Sequence, residues 1–180
     1  MSSSAQDSAQ EREIRLRVET ALRQLSVLDR HLLTNDANER ALRHRLAVQL
    51  EKHFDNWDVD CEYDGVQRDQ KLVDELAAEL ATYGGDEPLV RDTSGRTVHP
   101  DIIIHHRGSS QNLLAVEVKK DSSRVPDQVD RAKLALQKDD PRLAYRYACL
   151  VRIRVGPAEG ATDGPADTKS EGQLFEIEFL

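Results

Sequence analysis

Three charged residues in the middle of the chain have the types and the spacing that phosphate-ester chemistry uses. Asp101 opens a β-branched run, and Glu117 and Lys119 lie near the end of a second apolar run. A turn-forming segment at 107–111 separates the two runs and predicts a hairpin. If the turn centres on Ser109, Asp101 faces Glu117 across the strands, and Lys119 shares their face because side chains alternate along a strand. Two carboxylates and an ammonium therefore converge at one end of the predicted hairpin.

Two carboxylates placed this close need a counter-charge. At about 5 Å they repel each other unless a cation lies between them or one of them keeps its proton. Mg²⁺ is typically held by one or two carboxylates together with water and substrate phosphate. It polarises a phosphoryl oxygen and lowers the pKa of a bound water, and Lys119 can position that water or offset charge on the phosphate. A plain cross-strand ion pair of Asp101 and Glu117 with Lys119 is the alternative that needs no metal.

The two halves of this pattern resemble a known signature. Pro100-Asp101, fifteen intervening residues and Glu117-Val118-Lys119 resemble the PD-(D/E)xK motif of the restriction-endonuclease-like nuclease superfamily. The resemblance implies that Asp101 and Glu117 bind Mg²⁺, for which Mn²⁺ substitutes, and that Lys119 serves the attacking water. It also implies that the backbone carbonyl of Val118 binds the metal.

Glu39 has two interpretations. It follows Asp36 by three residues, which fits a capping box in which Glu39 reaches back to the start of a helix. It also lies three and seven residues before Leu42 and Leu46, in line with the inward stripe of the same helix. Members of the superfamily commonly add a metal-binding glutamate from a helix before the first core strand, and Glu39 is the matching candidate. Both interpretations stay open.

Three histidines beside the motif raise the alternative of a transition-metal site. They are His99, His105 and His106. The last two are adjacent, so they face opposite sides of a regular strand and cannot bind one ion together. We expect these histidines at a solvent-exposed strand end.

Hydrophobic periodicity predicts the elements that carry the motif. Helices are predicted at 11–32, 37–54, 69–82 and 126–138, and strands at 57–63, 98–106, 112–120, 145–155 and 173–180. The resemblance implies an αβββαβ core at about 37–155. We therefore expect an α/β fold of the restriction-endonuclease-like type, with a central mixed β-sheet flanked by helices and an extra N-terminal helix. Residues 1–10 are predicted to be a flexible tail, 11–180 a single domain, and 156–171 a mobile loop.

The net charge of −8 is unevenly distributed along the chain. Residues 95–155 contain 12 Lys or Arg against 7 Asp or Glu, whereas 58–92 contain 3 against 11. A basic segment within an acidic protein is compatible with a localised polyanion site, and a solvated mixed surface is the alternative. Five basic residues are candidates for phosphate contacts: Arg40, Arg43, Lys120, Arg124 and Arg131. Lys133 also follows the motif.

The resemblance implies a metal-dependent nuclease that hydrolyses phosphodiester bonds, and we expect DNA rather than RNA as its partner. The chain has eight aromatic residues, which argues against a stacking platform for single strands. The alternative is a non-catalytic nuclease-fold module that binds a protein or nucleic-acid partner, because the acidic segment 58–92 would repel a phosphate backbone. A homodimer also stays open.

Composition also bears on location. No apolar run approaches the ~20 residues of a membrane helix. The first ten residues lack the basic-then-apolar layout of a secretion signal. We therefore expect a cytoplasmic protein without a membrane partner.

Overall fold

Four helices and five strands make up the described part of the chain, which in this computed structural model covers residues 3–61, 99–141, 143–156 and 174–180. In chain order they are α1 (Ser3–Leu28), α2 (Arg30–Thr34), α3 (Glu39–Glu51), β1 (Asp58–Cys61), β2 (Ile102–His105), β3 (Asn112–Lys120), α4 (Asp127–Asp139), β4 (Tyr147–Ile153) and β5 (Phe175–Phe179). The helix predicted at 69–82 lies outside the described residues. So does the loop predicted at 156–171, apart from Gly156.

The five strands form one mixed sheet in the order β1-β2-β3-β4-β5. β1, β2 and β3 are antiparallel neighbours, β3 and β4 are parallel, and β4 and β5 are antiparallel. A parallel pair needs a long crossover connection, and α4 lies within the one between β3 and β4. The prediction of an α/β fold with a central mixed sheet flanked by helices is confirmed.

The β2–β3 hairpin has the predicted register over most of its length. Ile102 lies opposite Val116, and the next two pairs keep the same register. The register then shifts by one residue before His105, because Leu113 is an extra residue in β3. Leu113 and its neighbour Leu114 are both buried in the same hydrophobic cluster, as expected at a β-bulge, where the alternation of side chains is interrupted.

The helices cover both faces of the sheet and give each face its own core. On one face, Leu22 of α1 and Leu46 of α3 pack with Val116 of β3. On the other face, Leu134 of α4 packs with Ala115 of β3. Because side chains alternate along β3, its odd-numbered residues after Ala115 face α4. The candidate site therefore lies on the α4 face.

The N-terminal region differs from its prediction at both ends. α1 begins at Ser3, inside the segment predicted as a flexible tail, and the Asp7 carboxylate accepts hydrogen bonds from Arg146 (2.8 Å) and the Tyr147 hydroxyl (3.0 Å). The helix predicted at 11–32 is interrupted at Asp29, whose carboxylate accepts a 2.8 Å hydrogen bond from Arg45 of α3. In the described ranges, no helix combines the length and apolar content needed to cross a bilayer.

Candidate functional site

Asp101 and Glu117 come together as the hairpin register requires. Asp101 immediately precedes β2, and the pairing of Ile102 with Val116 puts its backbone opposite Glu117. Both side chains are buried, with exposed fractions of 6% for Asp101 and 2% for Glu117. Two carboxylates thus share one buried environment at the end of the strand pair.

The Asp101 carboxylate also completes the backbone hydrogen bonding of β3. Because β2 begins at Ile102, its pairing with β3 ends at Val116, and the Val118 N–H donates to Asp101 Oδ2 (2.8 Å). Arg43 of α3 adds a positive charge, with its Nε 3.0 Å from the same oxygen. Asp101 is therefore fixed in place by a strand and a helix before any metal is considered. The Val118 side chain itself packs in the core of the opposite face.

Glu117 is only partly satisfied. Lys133 of α4 donates to Glu117 Oε2 at 3.4 Å. Oε1 is buried and accepts no hydrogen bond from the described residues, whereas a protonated Glu117 would form a hydrogen bond with Asp101. A buried acceptor without a partner costs free energy, which a proton or a cation at this oxygen would recover. The donor set, two carboxylates with one oxygen unsatisfied, fits a hard divalent cation.

The pKa values of this cluster reflect its burial. Burial raises the pKa of Glu117 well above its usual range, and the neighbouring Asp101 charge raises it further, against the effect of Lys133. Burial also raises the pKa of Asp101, against the effects of Arg43 and the Val118 N–H. Burial lowers the pKa of Lys133, but the Glu117 and Asp101 carboxylates outweigh it and the net pKa is raised. The pair therefore resists holding two negative charges without an added cation.

Lys119 lies on the predicted face but has different partners from those expected. Its ammonium lies 2.9 Å from Asp130 and 3.1 Å from Asp127, both on α4. The amine in contact with Glu117 belongs to Lys133, which sequence analysis noted only among the charges that follow the motif. Asp127, Asp130 and Lys133 recur at three-residue steps along α4, and this spacing was the available signal that α4 contributes a charged stripe to the site.

The start of α3 departs from the predicted capping box. Asn38 is the N-cap, and its side chain accepts a 2.9 Å hydrogen bond from the Ala41 N–H. Glu39 is therefore the first helical residue, and the prediction that Asp36 caps this helix is wrong. Asp36 adopts a positive φ of 49° and its carboxylate pairs with Lys120 at 2.8 Å. Asn38 lies next to the helix and takes the cap because its backbone has the extended conformation that the position requires.

Glu39 points toward the sheet without joining the carboxylate pair directly. Its Oε1 accepts a 3.3 Å hydrogen bond from the Lys120 N–H, and its Oε2 lies 3.2 Å from Arg43. Arg43 in turn reaches Asp101, so a guanidinium separates the two acids. Across the described ranges, no group of three or more His, Cys, Asp or Glu side chains is arranged to hold a metal. The candidate protein ligands that meet are Asp101 and Glu117.

The five basic candidates for phosphate contacts differ in what they face. Arg43 faces the acidic residues of the site, Lys120 pairs with Asp36, and Arg131 makes two hydrogen bonds, of 2.9 and 2.8 Å, with a β5 carboxylate. Arg40 is exposed and lines a groove of about 500 Å³ on α3, and Arg124 is exposed between β3 and α4. Of these five residues, Arg40 and Arg124 are the two that are exposed, and the other three are partly buried.

His105 and His106, at the other end of β2, have separate surroundings. His105 is buried, contrary to prediction, and its Nε2 lies 2.9 Å from Asp60 Oδ2. Arg107 makes a second, two-pronged contact with the same carboxylate. His106 faces elsewhere and stacks on Trp57, with ring centroids 4.2 Å apart. The adjacent histidines do face different environments, as predicted. They were expected to be solvent-exposed, but His105 contacts the Asp60 carboxylate and His106 stacks on the Trp57 ring.

The fold and the candidate site are described from the geometry of this chain. The sheet order and the meeting of Asp101 with Glu117 are both observed in the structure of this chain. In comparisons with protein-family models, curated proteins and solved structures, no match to this chain was found.

Proposed function

We propose that this protein is a metal-dependent nuclease that hydrolyses phosphodiester bonds, in DNA rather than RNA, on a restriction-endonuclease-like fold. The supporting observation is the buried pair of Asp101 and Glu117, with one Glu117 oxygen that lacks a partner among the described residues. The order α3, β1, β2, β3, α4, β4 also agrees with the αβββαβ core of that superfamily. The protein would act in the cytoplasm, with nucleic acid as its partner.

In this proposal Asp101, Glu117 and the Val118 carbonyl would hold Mg²⁺. A bound Mg²⁺ would polarise a phosphoryl oxygen and lower the pKa of a coordinated water. The Val118 N–H holds the Asp101 carboxylate in a fixed orientation, which reduces the reorganisation needed on binding. Lys119 orients the attacking water or offsets charge on the phosphate, for which its ammonium must turn from Asp130 toward the substrate.

The remaining roles fall on the surface. Arg40 and Arg124 are exposed and contact phosphates on either side of the scissile bond, an interaction that positions nucleic acid without reading its sequence. Salt should weaken binding, because each neutralised phosphate releases counterions.

The decisive experiment combines Mn²⁺ calorimetry with cleavage of plasmid DNA, single-stranded DNA and RNA in Mg²⁺. We expect the protein to bind Mn²⁺ and to cleave DNA, and EDTA to stop cleavage. Asp101→Asn should lower the cleavage rate at least about 100-fold, which corresponds to about 3 kcal/mol in the barrier. The matched control is Asp55→Asn, at an exposed aspartate outside the site. Cleavage that persists in EDTA or in a folded Asp101→Asn protein contradicts the proposal.

A second variant separates the role of Lys119 from metal binding. Lys119→Ala should abolish cleavage while Mn²⁺ binding persists, with Lys52→Ala as the control at an exposed lysine. Retained cleavage in Lys119→Ala would remove this residue from the mechanism and leave the metal ligands in place.

One observation favours a second candidate, a non-catalytic module of the same fold. Arg43 and Lys133 supply two positive charges beside Asp101 and Glu117, so the formal charges of these four side chains sum to zero without a metal. Such a module would bind a protein or a nucleic acid through another surface. Absence of Mn²⁺ binding in the calorimetric titration, with no change in Asp101→Asn, would favour it over the nuclease.

A further inference from the structure

We propose that the Lys133 ammonium is the resident counter-ion of the carboxylate pair, and that a divalent cation must displace it from Glu117 in order to bind. This inference rests on the proposed metal site of Asp101 and Glu117 and identifies a residue that lowers its affinity. It assigns to α4 a role in metal binding, although the candidate ligands all lie at or next to strands β2 and β3.

The Lys133 side chain lies against Glu117 and is mostly buried. Its Nζ lies 3.4 Å from Glu117 Oε2, and 15% of its side chain is exposed. The flanking residues Ala132 and Leu134 are buried in the α4-face core. The helix backbone is therefore fixed against the sheet, and Lys133 can leave Glu117 only by rotation about its flexible four-carbon stem.

A bound divalent cation and the Lys133 ammonium would carry charges of the same sign. A divalent ion held by Asp101 and Glu117 would lie within a few ångströms of Lys133, and like charges at such distances repel strongly where water is scarce. Binding of the ion and contact of the ammonium with Glu117 therefore oppose each other. By linkage, the ion must overcome the free energy of the Lys133–Glu117 contact in order to bind.

The displaced Lys133 ammonium has an acceptor within reach, the Asp130 carboxylate. Asp130 lies one turn earlier on the same helix, at the three-residue spacing that brings helical side chains together. Its charge already raises the pKa of Lys133, although less than Glu117 and Asp101 do and against the effect of burial. Asp130 also binds Lys119 at 2.9 Å, so one carboxylate can hold both amines on the α4 side while the metal occupies the strand side.

The test compares the Mn²⁺ dissociation constants of the full-length protein and its Lys133→Met variant by calorimetry. Methionine keeps the length of the side chain and removes the charge. We expect Lys133→Met to bind Mn²⁺ about tenfold more tightly, within the range that couplings between sites commonly reach. Lys133→Arg, which keeps the charge, should bind as the unmodified protein does. The matched control is Lys138→Met, which removes an exposed lysine of the same helix.

Thermal unfolding gives a second readout that does not depend on activity. Without metal, Lys133→Met should melt at a lower temperature, because removal of one partner leaves a buried carboxylate pair uncompensated. Saturating Mn²⁺ should raise its melting temperature more than it raises that of the unmodified protein. If Lys133→Met does not fold, Lys133→Gln is measured in its place.

The outcomes separate this inference from the proposed function. Tighter Mn²⁺ binding in Lys133→Met, lost again when Glu117→Gln is added, supports the inference. Equal or weaker binding in a folded Lys133→Met protein, with the unmodified protein binding Mn²⁺, overturns the inference and leaves the metal site standing. Failure of every variant and of the unmodified protein to bind Mn²⁺ overturns both.

Discussion

Two carboxylates in the same sheet, Asp60 and Glu117, have their pKa values moved in opposite directions by their surroundings. A hydrogen-bonded Arg107 lowers the pKa of Asp60, with a smaller contribution from His105 and against the effect of partial burial. Burial raises the pKa of Glu117, and Lys133 does not compensate for it. A paired carboxylate stabilises the fold in its ionised form, whereas the buried pair at Glu117 has a free-energy cost that a bound cation would offset.

The Asp60 contact leads to a pH-dependent prediction. Because the folded pKa of Asp60 lies below its ordinary value of 3.8, its contribution to stability is present above that value and is lost as the pH falls through the folded pKa. Asp60→Asn should lower the free energy of unfolding by about 1 kcal/mol at neutral pH, a value that allows for solvent screening of the exposed Arg107. This difference should shrink as the pH falls through the folded pKa of Asp60.

Urea unfolding at several pH values measures the Asp60 effect directly. Asp55→Asn, at an exposed aspartate, is the control and should show no such pH dependence. An NMR titration in which Arg107→Ala leaves the Asp60 pKa unchanged would contradict the assignment of Arg107 as the main cause.

The meeting of Asp101 and Glu117 was predictable from the sequence, but the partners of the Lys119 and Lys133 amines were not. The carboxylates are attached to strands by short side chains, so strand register alone brings them together. Lys119 and Lys133 have long side chains whose ends can reach several acceptors, and their choice depends on how α4 lies on the sheet. That docking is a tertiary property which the local pattern of α4 does not contain.

Among the elements, α3 has a start that can be tested. The Asn38 side chain satisfies one of the otherwise unpaired N–H groups of its first turn. Asn38→Ala should lower the free energy of unfolding by about 1 kcal/mol. Chemical denaturation measures this loss, and the exposed Asn56, replaced by alanine, is the control. A loss equal to that of the control would mean that the cap does not contribute.

The elements were predicted with unequal success, and the reasons are local. β3 spans Asn112–Lys120, which are the predicted bounds, because its apolar run is sharply flanked by polar and turn residues. The predicted helix at 11–32 has no glycine or proline to mark the interruption at Asp29, whose side chain pairs instead with Arg45. The cap of α3 was misplaced by two residues because Asp36 and Asn38 are both good capping types, and only backbone conformation separates them.

In the molecule as a whole, the packing of α4 on the sheet is the feature that a stability measurement tests most directly. Leu134 is fully buried in the α4-face core, and its neighbour Lys133 reaches the site. Leu134→Ala should lower the free energy of unfolding by about 3 kcal/mol, since it leaves a cavity that the sheet cannot fill. Leu16→Ala, at a leucine that is 63% exposed, should change it by no more than about 0.5 kcal/mol.

Equilibrium denaturation monitored by far-UV circular dichroism gives both values, provided that each unfolding curve is a single transition. A loss below about 1 kcal/mol in Leu134→Ala would mean that α4 is held by its charged contacts rather than by its core. The same measurement in Mn²⁺ would show whether α4 packing and metal binding are coupled.

At this scale the sheet class and its helical layers followed from the order of predicted elements. A short turn between β2 and β3 required an antiparallel pair, and a helix between β3 and β4 allowed a parallel one. The overall charge was less informative. The positive segment and the acidic residues that it meets are interleaved on the α4 face, as in the pair of Arg131 with Glu178, so summing charge along the chain did not reveal where a polyanion would bind.

The extra residue Leu113 gives the hairpin a spare unit of length. A loop one residue shorter can be accommodated by loss of the bulge, with Asp101 still opposite Glu117. An insertion between Leu114 and Glu117 has no such outlet and would turn the two acids onto different sides of the sheet. The length of the loop can therefore change by one residue without separating the acids, whereas the length of the paired segment cannot. A related chain with a loop one residue shorter would keep the two acids together, and a sequence search that demands an interval of fifteen residues would overlook it.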